Sequence, residues 1–516
     1  MQIKKHFLKC DILVAGGGAA GVPTALAAAR NGAKVILCQD RPVLGGNASS
    51  EVRMHIVGAD CSGKRGAELS VEARETGIVE EIRLENCIKN PQRSASMFDL
   101  ILYDMCRVEP TLELMLNTRI YEAVVENNHI CKALARRDST EEEFEVEASI
   151  FIDCTGDGTL GASAGAPFYE GRESKVTFSE SLGQQQPDLQ RLGSSLMFQA
   201  RKYDRAMPFV APSWARKFTE ADLRLRPHAT KALDLDVGLE YGYWWLEWGG
   251  DLDTIRDNEV IRDELLAILM GVWDHVKNGG DHGADHWALE WCGFLPGKRE
   301  SRRFIGQYTL TQNDIIESRS FDDAIAYGGW HMDLHPPKGV DAADEPPCIH
   351  HLVPHLYDIP LRICISNHLD NLMFAGRNVS ASHVAFASTR VMATCASIGQ
   401  GVGTAAAIAI RDKVLPKQFV SNSNLIRELQ QTLLRDGVFI IGKRNEDSQD
   451  LARDASITCS GQQPEGPAIN VTSGITRSVH GDNGVPVGRT EAGTHRWMSS
   501  ILKEMPAWIE LRWQEP

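Results

Sequence analysis

Apolar positions and glycines follow one another at the N-terminal end in the order strand, turn, helix, strand. Residues 10–15 form a short apolar run, and the alanine-rich stretch after them ends at Asn31-Gly32, where glycine commonly stops a helix. Pro23 lies in the expected first helical turn, where its missing N–H costs little. Residues 34–38 predict the second strand. The first forty residues therefore predict a βαβ unit.

The next stretch, residues 85–150, mixes the two periodicities. Residues 96–108 have the spacing of a helix, and the apolar runs 112–116, 120–126 and 130–136 predict strands. Asn127-Asn128 separates the last two runs and predicts a hairpin turn. The acidic residues 141–147 predict a solvated strand or turn.

Residues 166–364 have a different composition and predict an inserted α+β substrate or cap domain. Six of the eleven tryptophans lie between Trp244 and Trp291, and residues 259–277 show apolar positions at helical spacing. Histidines then gather at positions 331, 335, 350, 351 and 355. After this region, residues 371–375 predict a strand and a long small-residue helix is expected by about Ser397. The chain is therefore expected to return to the first domain.

The end of the chain predicts one helix, at residues 423–437, and four short β segments, at 454–461, 468–478, 495–500 and 507–513. These segments are typical of half a β-sandwich, which cannot bury its inner face alone. We therefore expect a fragment of a longer protein or a degenerate last module. The predicted fold is α/β: a Rossmann-like domain (1–165, returning at 365–418), the insert (166–364), and a helix with a partial sandwich (419–516).

Composition narrows the function classes. The net charge of −15 argues against a nucleic-acid partner. Twelve cysteines are present, but the closest two are Cys348 and Cys364, which excludes C-x-x-C zinc sites and ferredoxin-like cysteine runs. We expect reduced thiols and a cytoplasmic location. Residues 391–410 carry no charge and are long enough to span a membrane, but their small residues and Gln400 predict a buried helix instead.

The first glycines carry the main chemical signal. Gly16, Gly18 and Gly21 have the spacing G-x-G-x-x-G between a predicted strand and helix, which predicts a dinucleotide site where the helix N-terminus receives a pyrophosphate. A second match, "GDGTLG" at 156–161, lacks a full helix and following strand, so it is rejected as a nicotinamide site. The second strand usually ends in an acid that binds ribose; here Gln39 and then Asp40 stand there, and either could bind the hydroxyls.

Four blocks in order carry a resemblance: "GGGAAG", "RPVLGGNASSEVR", "IDCTGDG" and "NLMFAGRNVSASHVAFASTRVMATCASIGQGVGTAAA". The chain resembles FAD-dependent oxidoreductases of the glutathione-reductase-like flavoprotein superfamily, and more narrowly those whose flavin module is related to the flavin-binding polypeptide of heterodisulfide reductase. The tail resembles the start of a galactose-binding-like jelly roll. The resemblance implies FAD as cofactor. The resemblance does not imply an iron–sulfur cluster, because the ferredoxin-like cysteines of that reductase are missing here.

The resemblance also implies which residues contact FAD. The helix expected near Ser397 would direct its positive dipole end at the pyrimidine edge of the flavin. The implied cofactor-binding residues are Gly16, Gly18, Ala19, Ala20, Gly21, Gln39, Asp40, Arg41, Gly45, Gly46, Asn47, Val124, Thr155, Gly156, Asp157, Gly376, Arg377, Ser397, Gly399 and Gln400.

Candidate catalytic residues are two histidines and two arginines. Oxidising an alcohol needs a base for the hydroxyl proton, and His55 and His383 follow blocks expected near the flavin. Arg53 and Arg302 could bind a substrate carboxylate, as could Arg299 and Arg303 beside the latter. Packing against the cofactor or a core helix is the alternative for the two histidines. For the arginines of "KRESRR" (298–303) the alternative is a salt-bridged strand edge. No metal site is expected, because the histidines at 350, 351 and 355 have no acidic partner at ligand spacing.

Three functions stay open from the sequence. The main hypothesis is a FAD-dependent oxidoreductase that transfers hydride between FAD and a small polar substrate, with carbohydrate derivatives as the candidate class. The second is a flavin electron-transfer subunit that works with an iron–sulfur partner protein. The third is a non-enzymatic carbohydrate-binding protein. A redox partner and a homo-oligomer are both compatible with the sequence, whereas nucleic acid and membrane are not expected.

Overall fold

The computed structural model describes residues 3–59, 73–228, 238–481, 484–503 and 505–514. Within these ranges the strands are β1 Lys4–Ala15, β2 Val35–Cys38, β3 Leu112–Met115, β4 Arg119–Glu126, β5 His129–Arg137, β6 Glu142–Asp153, β7 Phe168–Tyr169, β8 Ser194–Ser195, β9 Phe198–Lys202, β10 Glu247–Trp248, β11 Trp287–Cys292, β12 Gly297–Lys298, β13 Arg303–Phe304, β14 Ala324–Gly328, β15 Met332–Leu334, β16 Ile349–His351, β17 Tyr357–Pro360, β18 Leu372–Phe374, β19 Ser456–Cys459 and β20 Ile509–Arg512. The helices are α1 Gly21–Arg30, α2 Ile78–Lys89, α3 Ala95–Arg107, α4 Thr159–Ser163, α5 Lys175–Phe178, α6 Glu220–Leu223, α7 Gly238–Tyr241, α8 Asn258–Asn278, α9 Gln312–Ile316, α10 His383–Thr389, α11 Met392–Asp412, α12 Pro416–Phe419 and α13 Ser423–Arg435.

A seven-stranded sheet forms the centre of the fold. Its order is β3-β2-β1-β6-β5-β4, and β18 also pairs with β6. The pairs β3-β2, β2-β1, β1-β6 and β6-β18 are parallel, whereas β4, β5 and β6 form an antiparallel meander. The sheet and its helices confirm the predicted Rossmann-like α/β class.

Strand β6 is longer than the sequence suggested and has two neighbours on one side. Its first half pairs with β5 and its second half with β18, while β1 pairs along its whole length. The acidic residues 141–147 therefore lie mostly inside a strand that is paired on both sides. Lys5 and Lys9 of β1 form ion pairs with Glu143 and Glu147, which explains why charge is tolerated there.

Alternate residues of the parallel strands pack into two separate hydrophobic cores, one on each face of the sheet. Ile12 and Val14 pack on one face with the apolar sides of α1 and α11, and Leu13 packs on the other face with the meander and Phe304. Both faces are covered, so the strands read as continuous apolar runs rather than as alternating ones.

Asn371 fixes the returning strand β18 against β6. Its buried side-chain amide accepts a hydrogen bond from the Ile130 N–H and donates one to the Ile130 carbonyl, each at 2.9 Å. These bonds satisfy the backbone where β5 diverges from β6, so β18 can take the vacated position.

Helix α11 packs on α1 by close backbone approach. A Cβ atom at Gly399 would lie 2.3 Å from the carbonyl oxygen of Ala20, and one at Gly403 would lie 2.2 Å from that of Thr24. This helix is long and apolar enough to cross a membrane, with a mean hydropathy of 1.3, but 94% of the relevant window is buried in the protein. Its small residues therefore serve helix packing.

The region between β6 and β18 has a core of its own. Helix α8 packs there against buried aromatic side chains, among them Trp245 and Trp273, which are 2% and 1% exposed. Most of the clustered tryptophans therefore pack in this core, whereas Trp244 and Trp330 line a cavity described below.

The tail keeps two of its four expected β segments. β19 and β20 pair antiparallel, from Ser456↔Arg512 to Cys459↔Ile509. The segment at 468–478 instead contains a 3-10 turn, Ala468–Thr472, and the described residues 495–500 are not a strand. Those two strand predictions are wrong, because the tail residues Val479 and Val485 pack on Tyr327 and Leu356 rather than on a second sheet. The domain boundaries stay predictions.

The elements with strong periodicity are confirmed within a few residues. These are the βαβ unit, the hairpin, and the helices α3, α8 and α13; Asn127 and Asn128 both have positive φ, as a tight two-residue hairpin turn needs. Helix α11 begins at Met392, five residues before the expected start, because Val391 already has the extended backbone of a helix cap.

Gly399→Val should destabilise the fold, because the added side chain meets the fixed backbone of Ala20. Overpacking of this kind costs about 1–3 kcal/mol. Urea unfolding of the purified protein should show a lower midpoint. Thr432→Val, on the half-exposed side of α13, adds the same residue type without a clash and should leave the midpoint almost unchanged. Equal midpoints for both variants would contradict the packing argument.

Candidate functional site

A cavity of ≈ 670 Å³ lies at the carboxyl ends of the parallel strands. Ala15, Cys38 and Cys154 line it where β1, β2 and β6 end, and Gly376 lines it just after β18. Open parallel sheets bind ligands at this edge.

The turn between β1 and α1 forms one side of the cavity. Gly16 has φ +94°, and a Cβ atom at Gly21 would lie 1.8 Å from the Gly16 carbonyl oxygen, so this turn requires glycine. Ala20 occupies the cap position of α1 and has no polar side chain to bond the first helical N–H groups. The start of α1 can therefore receive an anionic group.

A second glycine loop lies directly against the first. The N–H of Gly45 donates to the Gly17 carbonyl at 2.8 Å, and a Cβ atom at Gly46 would lie 3.1 Å from the Cα atom of Gly18. Gly46 and Asn47 line the cavity, whereas Gly45 and Gly21 lie behind its wall. The two loops together form a narrow backbone cradle.

Gln39 supports the turn instead of facing the cavity with its amide group. Its Oε1 accepts a hydrogen bond from the Gly17 N–H at 2.7 Å, and its Nε2 donates to the Val43 carbonyl at 3.2 Å. A glutamate could not donate to that carbonyl, which gives a physical reason for glutamine here. Asp40 and Arg41 follow it in the wall. Burial raises the pKa of the Asp40 carboxyl.

A carboxylate between two cations closes the end of β6. Lys298 Nζ lies 2.6 Å from Asp157 Oδ2, and Arg377 Nη2 lies 3.6 Å from Asp157 Oδ1. Burial tends to raise the pKa of Asp157, but Lys298 and then Arg377 outweigh it, so the pKa is lowered. Nη1 of Arg377 is buried and has no hydrogen-bond partner in the described ranges of the chain. This unsatisfied donor in the wall suits a phosphate oxygen.

The start of α11 completes this part of the wall. Val391, Met392 and Cys395 line the cavity, and the apolar Val391 caps the helix without a side-chain bond. Its dipole end is therefore available to an anionic ligand edge.

Six of the residues expected to contact the cofactor lie outside the wall: Gly21, Gly45, Val124, Ser397, Gly399 and Gln400. The early start of α11 leaves the last three one to two turns inside the helix, and the Gln400 side chain accepts a hydrogen bond from the Ile78 N–H. Their contact with the cofactor stays a prediction. Val124 lies too far along β4, and the wall uses Thr118, Arg119 and Ile120 instead.

The other expected cofactor contacts do line the cavity. They are Gly16, Gly18, Ala19, Ala20, Gln39, Asp40, Arg41, Gly46, Asn47, Thr155, Gly156, Asp157, Gly376 and Arg377.

Among the four candidate catalytic residues, only His55 lies in the wall. Burial lowers the pKa of its imidazole, so the ring is neutral at neutral pH. His383 Nδ1 lies 3.0 Å from the buried Glu300, and Arg53 bonds Gln199 with its guanidinium 4.1 Å over the Trp291 ring. Arg302 donates to the Asp157 carbonyl from behind the wall. Each of these three is held by neighbours outside the cavity, and their contact with a substrate stays a prediction.

The insert contributes a buried ionic network to the opposite wall, which we call the insert network: Glu247, Arg299, Asp333 and His335, joined by Arg390 from the end of α10. His335 lies between the two carboxylates, with Nδ1 2.6 Å from Glu247 and Nε2 2.9 Å from Asp333. Arg299 lies 3.3 Å from Glu247, and Arg390 lies 2.8 Å from Asp333.

Charge in the insert network is strongly coupled. Burial tends to raise the pKa of both carboxyls, but Arg299 and His335 lower that of Glu247, and the neighbouring histidines lower that of Asp333. Burial alone would lower the pKa of His335, but Glu247 and Asp333 outweigh it and raise the pKa. These shifts favour ionised carboxylates and a protonated His335.

Sequence reasoning named His335 and Arg299 only in passing and missed Arg390, Asp333 and Trp330. Asp333 lies directly opposite His350 in the β15–β16 pair, and their ligand atoms converge with those of His331. The expectation that these histidines lack an acidic partner is thus corrected, because strand pairing supplies one that spacing does not show.

A family profile described as "FAD dependent oxidoreductase" matches residues 11–433, most of the chain. The chain therefore belongs to this family, is an enzyme of the oxidoreductase class, and uses FAD as its cofactor. The backbone cradle, the unsatisfied Arg377 donor and the two helix starts fit the diphosphate and flavin of this cofactor.

No curated protein matches the chain significantly. Solved structures similar to it include a geranylgeranyl bacteriochlorophyll reductase-like protein from Thermoplasma acidophilum (13% identity, 84% of this chain and 86% of that one, TM-score 0.37). p-Nitrophenol 4-monooxygenase from Pseudomonas putida (11%, 83% and 86%, TM-score 0.34) and the quinol fumarate reductase FrdA of E. coli (11%, 84% and 75%, TM-score 0.32) are also similar.

Gly18→Val should remove bound flavin without unfolding the protein. A Cβ atom at Gly18 makes only an ordinary contact at 3.9 Å, with Gly46, but it would project into the cradle where backbone must approach the cofactor. We expect at least a tenfold lower flavin content per chain, measured by absorption after purification and FAD reconstitution. The apoproteins of both forms should unfold at similar temperatures. Full flavin content in the variant would contradict the cradle assignment.

Proposed function

We propose that this enzyme transfers hydride between FAD and a small, negatively charged polar substrate, with sugar acids as the substrate class. The observation that carries this proposal is the charge of the insert network. Three cations, Arg299, His335 and Arg390, lie against two carboxylates, which leaves one buried positive charge beside the cavity. Buried charges are costly unless they are paired, so an anionic group of a ligand would stabilise the network.

An unsatisfied arginine donor supports the same proposal. Nε of Arg390 is buried and has no hydrogen-bond partner among the described residues, and Arg390 lines the cavity. A guanidinium presents a planar set of donors that suits a carboxylate.

Two tryptophans support a substrate that contains a sugar ring. Trp244 and Trp330 line the cavity, and the buried indole N–H of Trp330 has no acceptor within the part of the chain that the structure describes. A flat aromatic face suits the apolar face of a sugar ring, and a free N–H suits a hydroxyl oxygen.

We assign the following roles in binding and catalysis to residues of the chain. The start of α1, Gly46 and Arg377 would bind the diphosphate of FAD, and Asp40 rather than Gln39 would bind the ribose, because the Gln39 amide is already engaged. FAD supplies the hydride acceptor. Neutral His55, in the cavity wall, would accept the proton of the substrate hydroxyl.

Finer assignments from the sequence remain proposals too. These are the relation to the flavin-binding polypeptide of heterodisulfide reductase, a redox partner protein, homo-oligomers, and a reducing cytoplasmic compartment. The cysteines among the described residues are all free thiols, which agrees with the last of these.

The proposal is tested by anaerobic flavin bleaching. The FAD-loaded protein is mixed in turn with sugar acids, the matching neutral sugars, and small hydroxy acids, and the flavin absorption is followed. Faster bleaching by sugar acids than by neutral sugars is expected. Bleaching by neutral sugars alone would overturn the anionic substrate. No bleaching, with rapid electron exchange between dithionite-reduced protein and a ferredoxin, would favour the electron-transfer role instead.

Arg390→Met should weaken use of the anionic substrate that bleaches the flavin. Truncating one partner of a buried charge pair costs about 2–5 kcal/mol, or roughly a 30-fold or larger loss in kcat/KM. Arg411→Met removes an exposed arginine from α11 and is the matched control, with little change expected. An unchanged kcat/KM in Arg390→Met would remove the arginine from the substrate site.

The KM for the same substrate should also depend on pH. The pKa of His335 is raised, so its positive charge is present at neutral pH and is lost as pH rises through the raised pKa. KM should therefore increase on the alkaline side. In a folded His335→Gln variant this limb of the profile should disappear; its persistence would assign the titration to another group.

A further inference from the structure

Three histidines and a glutamate converge in the insert, away from the cavity. Glu220 begins α6, His228 follows that helix, His275 lies in the last turn of α8, and His282 follows α8. None of the four lines the cavity. We call them the histidine cluster.

The histidine cluster has the dimensions of a tetrahedral metal site. Nε2 of His275 and of His282 each lie 3.2 Å from Glu220 Oε1, and Nε2 of His228 lies 3.4 Å from Oε2. All the ligand atoms lie within 4.8 Å of one another. Zinc bonds to N and O of about 2.0–2.1 Å give a tetrahedron with edges of roughly 3.4 Å. The distances from Glu220 Oε1 to His275 and His282 already match two of these edges.

The orientation of the His228 ring also favours a metal. Its Nδ1–H can donate to the Arg226 carbonyl at 2.7 Å, which leaves the lone pair of Nε2 directed at the cluster when the ring is neutral. Metal-binding histidines are commonly oriented in this way by a carbonyl. A neutral His228 would set this lone pair against a carboxylate oxygen, which is repulsive unless a cation lies between them.

The other two rings are largely shielded from solvent, as the ligands of a structural site need to be. His275 is 5% exposed, and the His282 side chain is 10% exposed. Neutral imidazole is the form that binds metal. One carboxylate cannot neutralise three imidazolium ions at this distance, whereas one divalent cation satisfies all four groups.

We propose that Glu220, His228, His275 and His282 bind one Zn²⁺ ion in a structural site. Four protein ligands of the types N and O in tetrahedral arrangement are typical of zinc. The ion would tie α6 and the Arg226 segment to the end of α8. Arg226 is itself buried and donates to the carbonyls of Gly339 and Ala342, so the site would stabilise the fold of the insert. This inference does not depend on the proposed substrate.

Metal analysis of the FAD-loaded full chain tests the proposal. After treatment with chelator, the protein is titrated with Zn²⁺ and separately with Co²⁺, whose visible absorption reports tetrahedral coordination. We expect one Zn²⁺ per chain by elemental analysis, an intense tetrahedral Co²⁺ spectrum, and a higher unfolding temperature with Zn²⁺. No uptake, or weak octahedral Co²⁺ absorption, would overturn the proposal.

Variants locate the ion. His282→Ala should weaken Zn²⁺ binding by at least about tenfold, since even groups that only orient a ligand are worth that much. Glu220→Gln changes an exposed side chain and should fold, while shifting the Co²⁺ spectrum. His286→Ala, an exposed histidine in the same region, and His350→Ala, from the group around Asp333, are the controls and should bind zinc normally.

Flavin content separates this test from the function of the cavity. His282→Ala should retain its bound FAD while losing zinc affinity. Zinc binding that is unaffected by His282→Ala and Glu220→Gln but lost in His350→Ala would place the metal elsewhere and overturn the assignment.

Discussion

Backbone contact between the glycine turn after β1 and the end of β6 is the constraint on which the rest of the site depends. A Cβ atom at Gly16 would lie 2.5 Å from the carbonyl oxygen of Cys154, so only glycine permits this approach. The parallel pairing of β1 with β6 holds both ends in register, down to Ala15↔Asp153. The start of α1, the loop at Gly46 and the end of β6 consequently meet around one cavity.

Buried charged side chains form the wall of the cavity that the insert contributes. The insert network joins four separate parts of the chain, yet each of its charges has a partner of opposite sign within 3.3 Å. Removing one member would leave another buried and unpaired, which is costly. The network therefore couples the shape of the insert to the start of α11, and its excess positive charge points to an anionic ligand.

At some positions a sequence motif does not predict what the side chain contacts in the structure. Ser397, Gly399 and Gln400 belong to a block typical of flavoproteins, but the helix starts at Met392, so these residues pack on α1 and α2 instead of lining the cavity. Gln39 stands where an acid is usual, and its amide stabilises the turn through two backbone bonds that a carboxylate could not both make. In both cases a local backbone contact decides the role of the side chain.

The sequence by itself determined the elements whose signals are local. The βαβ unit, the Asn127-Asn128 hairpin, helix α8 and the glycine turn follow from periodicity, turn chemistry and short spacing, since neighbouring residues alone produce those patterns. Only the tertiary structure decided which polar groups converge. Asp333 meets His350 through strand pairing, and His228, His275 and His282 meet across the end of α8. Such contacts depend on long-range packing, which no spacing along the chain records.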